Sequence, residues 1–201
     1  MVQGPRRTLN PAAILAGGRS LRMGCDKATM DFGGQPLARS VHNVLANSGC
    51  NPVYIVGRQP ELHTLQMPVL SDEDSISHPF SGVITALEYF DDHLVLFCPV
   101  DLAALNVDDV RLILDFGAPC VASAGDQVQP LLCLIGPKQI PIVKEILSNR
   151  GPAHALSDTL PRVQIRPQGL INCNERKDFE SIATSGRLRL SNPPTRVHGV
   201  E

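Results

Sequence analysis

The sequence predicts an α/β fold of three layers, with helices on both faces of a mostly parallel central sheet and an antiparallel edge element. The apolar runs Ala12 to Ala16, Val53 to Gly57 and Leu94 to Cys98 are continuous rather than alternating, as in strands buried on both faces. Between them, apolar residues recur at helical spacing, so strands and helices alternate as parallel βαβ units require. The first run then breaks into a glycine-rich cationic loop at the carboxyl end of its strand, where open α/β sheets bind ligands.

At 201 residues and 43% apolar content the chain suits one domain, expected over 11–185, with a disordered lead-in at 1–10 and a disordered tail at 186–201. A formal charge of −2 gives no basic field to draw in nucleic acid or an anionic membrane, so any anion site must be local. No apolar run approaches the roughly 20 residues of a membrane span, and Met1 to Asn10 is too polar for a signal peptide, so a cytoplasmic protein is expected. The six cysteines, Cys25, Cys50, Cys98, Cys120, Cys133 and Cys173, show no C-x-x-C or Cys/His cluster and read as reduced, mostly core thiols.

The loop is Gly17-Gly18-Arg19-Ser20-Leu21-Arg22-Met23-Gly24-Cys25-Asp26-Lys27. Its glycines permit close backbone approach by a ligand, and Arg19, Arg22 and Lys27 supply cations suited to phosphate oxygens. It is neither a P-loop, which needs Gly-Lys followed by Ser or Thr, nor a G-x-G-x-x-G loop. On composition alone a phosphate cradle and an ordinary glycine-rich turn with solvated charges fit equally.

Further along, Pro36 stands where a helix would start, and Leu37, Val41, Val44 and Leu45 give it an apolar face up to Gly49. Residues 60–66 form a short helix and Pro68-Val69-Leu70 a short strand that runs into Ser71-Asp72-Glu73-Asp74. Val83, Ile84, Ala86, Leu87 and Phe90 predict a helix packed on the sheet. The central run Leu94 to Cys98 ends in Pro99-Val100-Asp101, and a carboxylate there either binds Mg²⁺ with phosphates or caps a turn. Asn106 caps a helix over Val107 to Phe116 that Gly117 closes. Pro119 to Ala122 and Val128 to Ile135 read as two strands turned at Gly125-Asp126, the expected antiparallel edge pairing. Helices follow from Pro137 through Leu147 and over Ala153 to Leu160, then a strand at Val163 to Ile165 and a final helix over Glu175 to Ala183.

The loop's pattern Leu-Ala-Gly-Gly-x-Ser-x-Arg-Met-Gly-x-Asp-Lys, from Leu15 to Lys27, resembles the signature of the molybdenum cofactor guanylyltransferases, within the nucleotidyltransferase superfamily. Gly17 and Asp26 tilt that resemblance to guanine rather than to the cytidylyltransferases. Weaker landmarks follow in order: Asp72 after the third strand, Pro79 and Gly82 of a degenerate Gly-Pro-Leu-Ala-Gly turn, Asp101, a strand led by Gln129-Pro130, and Asn172-x-Asn174. Departures are Val56 where Asn is frequent, Leu102-Ala103 after Asp101, Glu175 after Asn174, and a blurred Gly/Arg pattern at Asn149 to Pro152.

The resemblance implies a Rossmann-like nucleotidyltransferase fold and a magnesium-dependent transferase of molybdenum cofactor biosynthesis. Such an enzyme moves GMP from GTP to the phosphate of Mo-molybdopterin, and its partners include molybdoenzyme apoproteins and other cofactor-biosynthesis proteins. It carries over Arg22, Lys27 and Asp101 as catalytic residues, with Asp101 as the metal ligand. Leu15, Ala16, Gly17, Gly18, Lys27, Asp72, Pro79, Gly82 and Asp101 become the nucleotide site, and Asn172 and Asn174 the acceptor side near pterin and metal. Alternatives are a cytidylyltransferase of the same pathway, a sugar- or alcohol-phosphate nucleotidyltransferase, and an inactive nucleotide-binding partner of molybdoenzymes.

Overall fold

A computed structural model describes residues 9–16, 27–72, 78–173 and Asp178. The expected tail, most of the lead-in and most of the final helix lie outside the described residues, although Asp178 is helical.

Within the described residues, strands β1 (Ala12–Leu15), β2 (Val53–Gly57), β3 (Val69–Ser71), β4 (Val95–Pro99), β5 (Cys120–Ala124), β6 (Gln127–Ile135) and β7 (Arg162–Gln164) form one sheet. Its order is β3-β2-β1-β4-β6-β5-β7. All pairings are parallel except β4–β6 and β5–β6, so β6 alone runs against the rest. The expected antiparallel pairing is therefore present, and it reaches inside the sheet: β6 lies between β4 and β5, and the rim beyond is the parallel strand β7.

Among the described residues, the α-helices that cover the sheet are α1 (Leu37–Asn47), α2 (Pro79–Phe90), α3 (Val107–Phe116), α4 (Ile140–Ser148) and α5 (His154–Ser157). Alternate residues of β1 divide between the two faces, as the period of a strand dictates. Ala12, Ile14 and Ala16 pack with Leu37, Val41 and Leu45 of α1 and with Val110 and Ile113 of α3. Ala13 and Leu15 pack with Phe80, Val83 and Leu87 of α2 and with Val143 and Leu147 of α4. Each such Val, Leu, Ile or Phe side chain taken fully out of water contributes about 1.5–3 kcal/mol, which is why the continuous apolar runs must be central.

Helix α2 starts earlier than the apolar pattern from Val83 suggested. Pro79 is its first residue, with φ preset for a helix, and the His78 ring accepts a hydrogen bond from the Phe80 N–H through Nδ1 at 3.1 Å. The segment opened by Pro137 divides instead into a 3-10 turn over Pro137–Gln139 and then α4.

At α3 the predicted N-cap is present as a capping box: Asp109 N–H donates to Asn106 Oδ1 at 2.9 Å, and Asn106 N–H donates to Asp109 Oδ2 at 3.2 Å. Asp109 is only 1% exposed and is held further by Arg166, whose Nη2 and Nε donate to its two oxygens at 2.7 and 3.1 Å. Arg166 Nη2 also donates to the Ala104 carbonyl at 3.3 Å, tying the end of β7 to the loop after β4.

Replacing one partner of such a buried pair leaves the other uncompensated. Asp109→Ala is expected to lower the free energy of unfolding in urea by about 3 kcal/mol, whereas Asp108→Ala, exposed in the same helical turn, changes it by less than about 0.5 kcal/mol. The five described cysteines are unbridged and buried. Burial pushes the pKa of Cys50 up to about 12 and those of Cys120 and Cys173 up to about 11, and raises Cys98 and Cys133 as well. A maleimide at pH 7 should therefore label none of these five in the native protein and all of them in urea. Unfolded thiols ionise near 9.0 while Cys50 keeps its proton to about 12, so the unfolded state binds fewer protons above pH 9. Their stabilising contribution is complete below pH 9 and declines towards pH 12, which urea titrations across that window would register.

Candidate active site

Strand order reverses between β1 and β4: the chain builds outward through β2 and β3, then returns to lay β4 on the other side of β1. A crevice opens outside the carboxyl ends of the strands at such a switch point. Here Leu15 stands opposite Pro99, and the Val100 N–H donates to the Leu15 carbonyl at 3.2 Å, fastening the two ends together.

Two predicted residues meet at that point. Lys27 begins a 3-10 turn after the glycine loop, Asp101 follows β4, and Lys27 Nζ donates to Asp101 Oδ2 at 3.0 Å with the side chains 19% and 20% exposed. The Asp101 carbonyl accepts from the Cys173 N–H at 3.0 Å, so the late segment expected on the acceptor side is bonded to the same loop. Burial chiefly raises the Cys173 thiol, Asp101 adds to that push and Lys27 opposes it.

Asp72 lies on the β2–β3 side, just past the end of β3, and is 7% exposed. Its Oδ2 accepts from Arg58 Nη2 at 3.1 Å and from Ser81 Oγ at 2.5 Å, and its N–H donates to the Gly57 carbonyl at 3.2 Å. Arg58 and Ser81 were not singled out from the sequence. The signal available was position alone: Arg58 follows a buried strand at the same edge, and Ser81 is in the first turn of α2.

Pro79 and Gly82 act here through α2. A Cβ built at Gly82 would stand 3.1 Å from Val56 Cγ1 and 3.5 Å from Leu15 Cδ2, so the glycine lets the helix lie close against β1 and β2. Val56, at the position where Asn is frequent in the resembling family, is a buried packing residue. Leu15 and Ala16 are buried too, and the Ala16 N–H donates to the Val56 carbonyl at 2.9 Å, so both lie at the carboxyl end of β1 against β2. On the far side, Asn172 Oδ1 accepts from Gln129 Nε2 at 2.9 Å. His78, from the degenerate turn, also bonds the Gly151 carbonyl through Nε2 at 2.9 Å, joining the start of α2 to the loop before α5. The predicted residues Gly17, Gly18, Arg22 and Asn174 lie outside the described residues.

Among the described residues no three His, Cys, Asp or Glu side chains converge to hold a metal by themselves. Asp101 is one hard oxygen donor at an open edge, which fits a cation that takes its remaining ligands from phosphate and water, the habit of Mg²⁺. No helix among the described residues is long and apolar enough to cross a membrane.

The MobA-like NTP transferase domain matches residues 12–164. The chain is 32% identical over 188 residues to a molybdenum cofactor guanylyltransferase of Xanthomonas euvesicatoria, covering 90% of this chain and 94% of that one. It is 30% identical over 128 residues to a molybdenum cofactor biosynthesis bifunctional protein of Synechocystis, of which it spans 37%. The solved structure of molybdopterin-guanine dinucleotide biosynthesis protein A from Archaeoglobus fulgidus shares the fold, with a TM-score of 0.72 at 14% identity over 89% of this chain and 99% of that one. The match from the first strand to the last, on a sheet whose switch point joins Lys27 to Asp101, shows that the chain belongs to the MobA-like NTP transferase family of nucleotidyltransferases.

Proposed function

We propose that the protein transfers GMP from GTP to the phosphate of Mo-molybdopterin, giving the guanine dinucleotide cofactor and pyrophosphate. The observation that carries this reading is the Lys27–Asp101 pair, one cation and one carboxylate 3.0 Å apart where β1 and β4 end. An oxygen of the acceptor phosphate attacks the α-phosphorus of GTP, and the bond from that phosphorus to the bridging oxygen of pyrophosphate breaks. The nucleophile is already an anion, so no general base and no covalent enzyme intermediate are needed. What the chain supplies is alignment and charge compensation.

In this reading Lys27 turns from Asp101 to the phosphates, and Arg22 adds a second cation. Asp101 would hold Mg²⁺, which when bound supplies charge neutralisation on the phosphate oxygens. Leu15, Ala16, Gly17 and Gly18 form the floor and loop of the nucleotide side, and Asp72, held by Arg58 and Ser81, stands at its edge with Pro79 and Gly82 of α2. Asn172 and Asn174 serve the acceptor, and the product passes in the cytoplasm to molybdoenzyme apoproteins.

Base choice is the finer point. Val56 offers no polar side chain at the end of β2, so guanine would be read by backbone and by neighbours such as Arg58 and Asp72. A transferase using CTP is the second reading for the same reason. With Mo-molybdopterin and Mg²⁺ supplied, GTP is expected to be consumed with a kcat/KM about tenfold or more above those of CTP and UTP, equivalent to roughly 1.4 kcal/mol. Preference for CTP would move the assignment to the cytidylyl branch. An inactive nucleotide-binding partner would instead bind GTP and release no pyrophosphate.

Removing one preorganised charge at a reacting phosphoryl group costs about 3 kcal/mol, or some two orders of magnitude in rate. Lys27→Ala and Asp101→Asn should each lower kcat about 100-fold, while thermal unfolding shifts little because a partly exposed ion pair contributes only about 1 kcal/mol. Near-normal turnover in either variant would sink the assignment.

A further inference from the structure

His78 joins two parts of the chain whose supports lie on opposite sides of the β1–β4 switch point. It stands immediately before α2, and three contacts hold its half-buried ring. Nδ1 accepts from the Phe80 N–H at 3.1 Å, Nε2 is 2.9 Å from the Gly151 carbonyl oxygen, and the ring of buried Phe80 lies with its centroid 5.5 Å away. The two bonds determine the form of the imidazole. A nitrogen that accepts from an N–H carries no proton, so the single proton of the neutral ring is on Nε2, which donates it to Gly151. Cap and bridge therefore demand the same tautomer and support one another.

Both ends of the bridge are anchored. On the α2 side the His78 carbonyl accepts from the Ser81 N–H at 3.1 Å, and Ser81 Oγ donates to Asp72 at 2.5 Å. The first turn of α2 in turn lies on the ends of β1 and β2 through Gly82. On the other side the Gly151 N–H donates to the Ile146 carbonyl at 2.8 Å, closing α4, and the Pro152 carbonyl accepts from the Ala155 N–H at 3.1 Å, opening α5. Between α4 and Gly151 the chain turns through Arg150, whose φ is 49°. Helix α5 packs on β6, with Leu156 in the same apolar cluster as Cys133 and Phe80. A side chain at the β1–β2 half of the sheet thus holds a backbone carbonyl 73 residues later, in a loop whose next helix rests on β6.

We infer that His78 is a positioning residue: it latches loop 149–152 to the start of α2 and so fixes the spacing between the nucleotide side of the crevice and its β6 side. It acts through the helix and the loop rather than on the reacting atoms. The inference rests on the proposed function in one respect, that the acceptor meets the nucleotide from the β6 side. Two substrates that each bind well still react slowly when their spacing is wrong, and a misplacement of about 1 Å can cost about 100-fold in rate.

Two substitutions in the full chain separate the two bonds of the ring. The Oδ1 of Asn falls near the place of Nδ1, and Asn is a good N-cap, so His78→Asn keeps the cap and loses the latch. The Nε2 of Gln reaches about as far as the ring's Nε2, so His78→Gln keeps the latch and loses the cap. His78→Asn should lower kcat for GMP transfer about tenfold while the Kd of GTP and of Mo-molybdopterin each stay within about twofold and Tm within about 2 °C. His78→Gln should hold kcat within about twofold and lower Tm by about 2–4 °C. A merely structural role would give the reverse, with activity following Tm. Two readouts need no substrate: amides of residues 151–156 should exchange hydrogen about fivefold or more faster in His78→Asn than in the parent or in His78→Gln, and nitrogen NMR of the parent at pH 8 should find the ring proton on Nε2. The latch is overturned if His78→Asn turns over as the parent does, if its loop exchanges no faster, or if the proton is on Nδ1. Absence of transfer by the parent, with exchange and tautomer as expected, would remove the guanylyltransfer reading and leave the loop tied to α2 by His78. Transfer by the parent that His78→Asn matches would remove the latch alone.

Discussion

Lys27 and Asp101 are 74 residues apart in the chain and 3.0 Å apart in space because β4 is laid against β1. That pairing is the constraint on which the rest depends. It requires β1 to be apolar on both sides, since α1 and α3 cover one face and α2 and α4 the other. It also requires Leu15 and Pro99 to end level, which the Val100–Leu15 backbone bond secures. With the strand ends fixed, the residues just beyond them have little freedom, and two opposite charges meet at an edge instead of dispersing into solvent. The helices contribute to this indirectly: Gly82 lets α2 approach β1 and β2 closely enough for Ser81 to reach Asp72.

The second wall is built by the strand that breaks the parallel pattern. Because β6 is reversed, its start, not its end, lies towards the edge where β4 ends, and Gln129 there bonds Asn172. The segment from Ile165 to Cys173 must then return to the same edge, and it is held at both ends. Arg166 grips Asp109 and the Ala104 carbonyl, and Cys173 grips the Asp101 carbonyl. The loop after β4 is thus clasped at both ends by one partner segment, whose middle is a 3-10 turn over Pro167–Leu170.

The parallel half of this architecture was legible because its signals are local and redundant. Continuous apolar runs mark β1, β2 and β4, and Asn106, Asp109 and Gly117 mark the two ends of α3 by capping chemistry that nearby residues complete among themselves. Lys27 at the end of the glycine loop and Asp101 just past an apolar run were legible as residue types, with the family resemblance implying a role for each; their contact comes from the structure. The interior place of β6 was not legible, since a hairpin signal at Gly125-Asp126 fixes which strands pair and says nothing about which one also reaches β4. Arg58, Ser81 and the Gln129–Asn172 bond were hidden for the same reason: each depends on contacts made across the sheet edge by residues whose own neighbours give no pattern. The early start of α2 was missed because its first turn, Pro79-Phe80-Ser81-Gly82, looks like a turn by composition and is helical through Pro at its first position and the His78 cap.

The exposure of the Lys27–Asp101 pair bears on how the site can work. Each side chain is about a fifth exposed, so the pair keeps contact with water and can part at a cost on the order of 1 kcal/mol. A deeply buried pair would resist parting, because leaving either charge unpaired costs several kcal/mol. Under the guanylyltransfer reading that difference is useful. The charges compensate one another before substrate arrives, and the arriving phosphates offer Lys27 a better partner while Asp101 becomes available to a cation. The backbone need not move for this exchange, since the carbonyl of Asp101 stays bonded to Cys173 and the strand ends stay joined through Leu15 and Val100. Under that reading the preorganisation resides in the fold, and Lys27 and Asp101 would change partners within it.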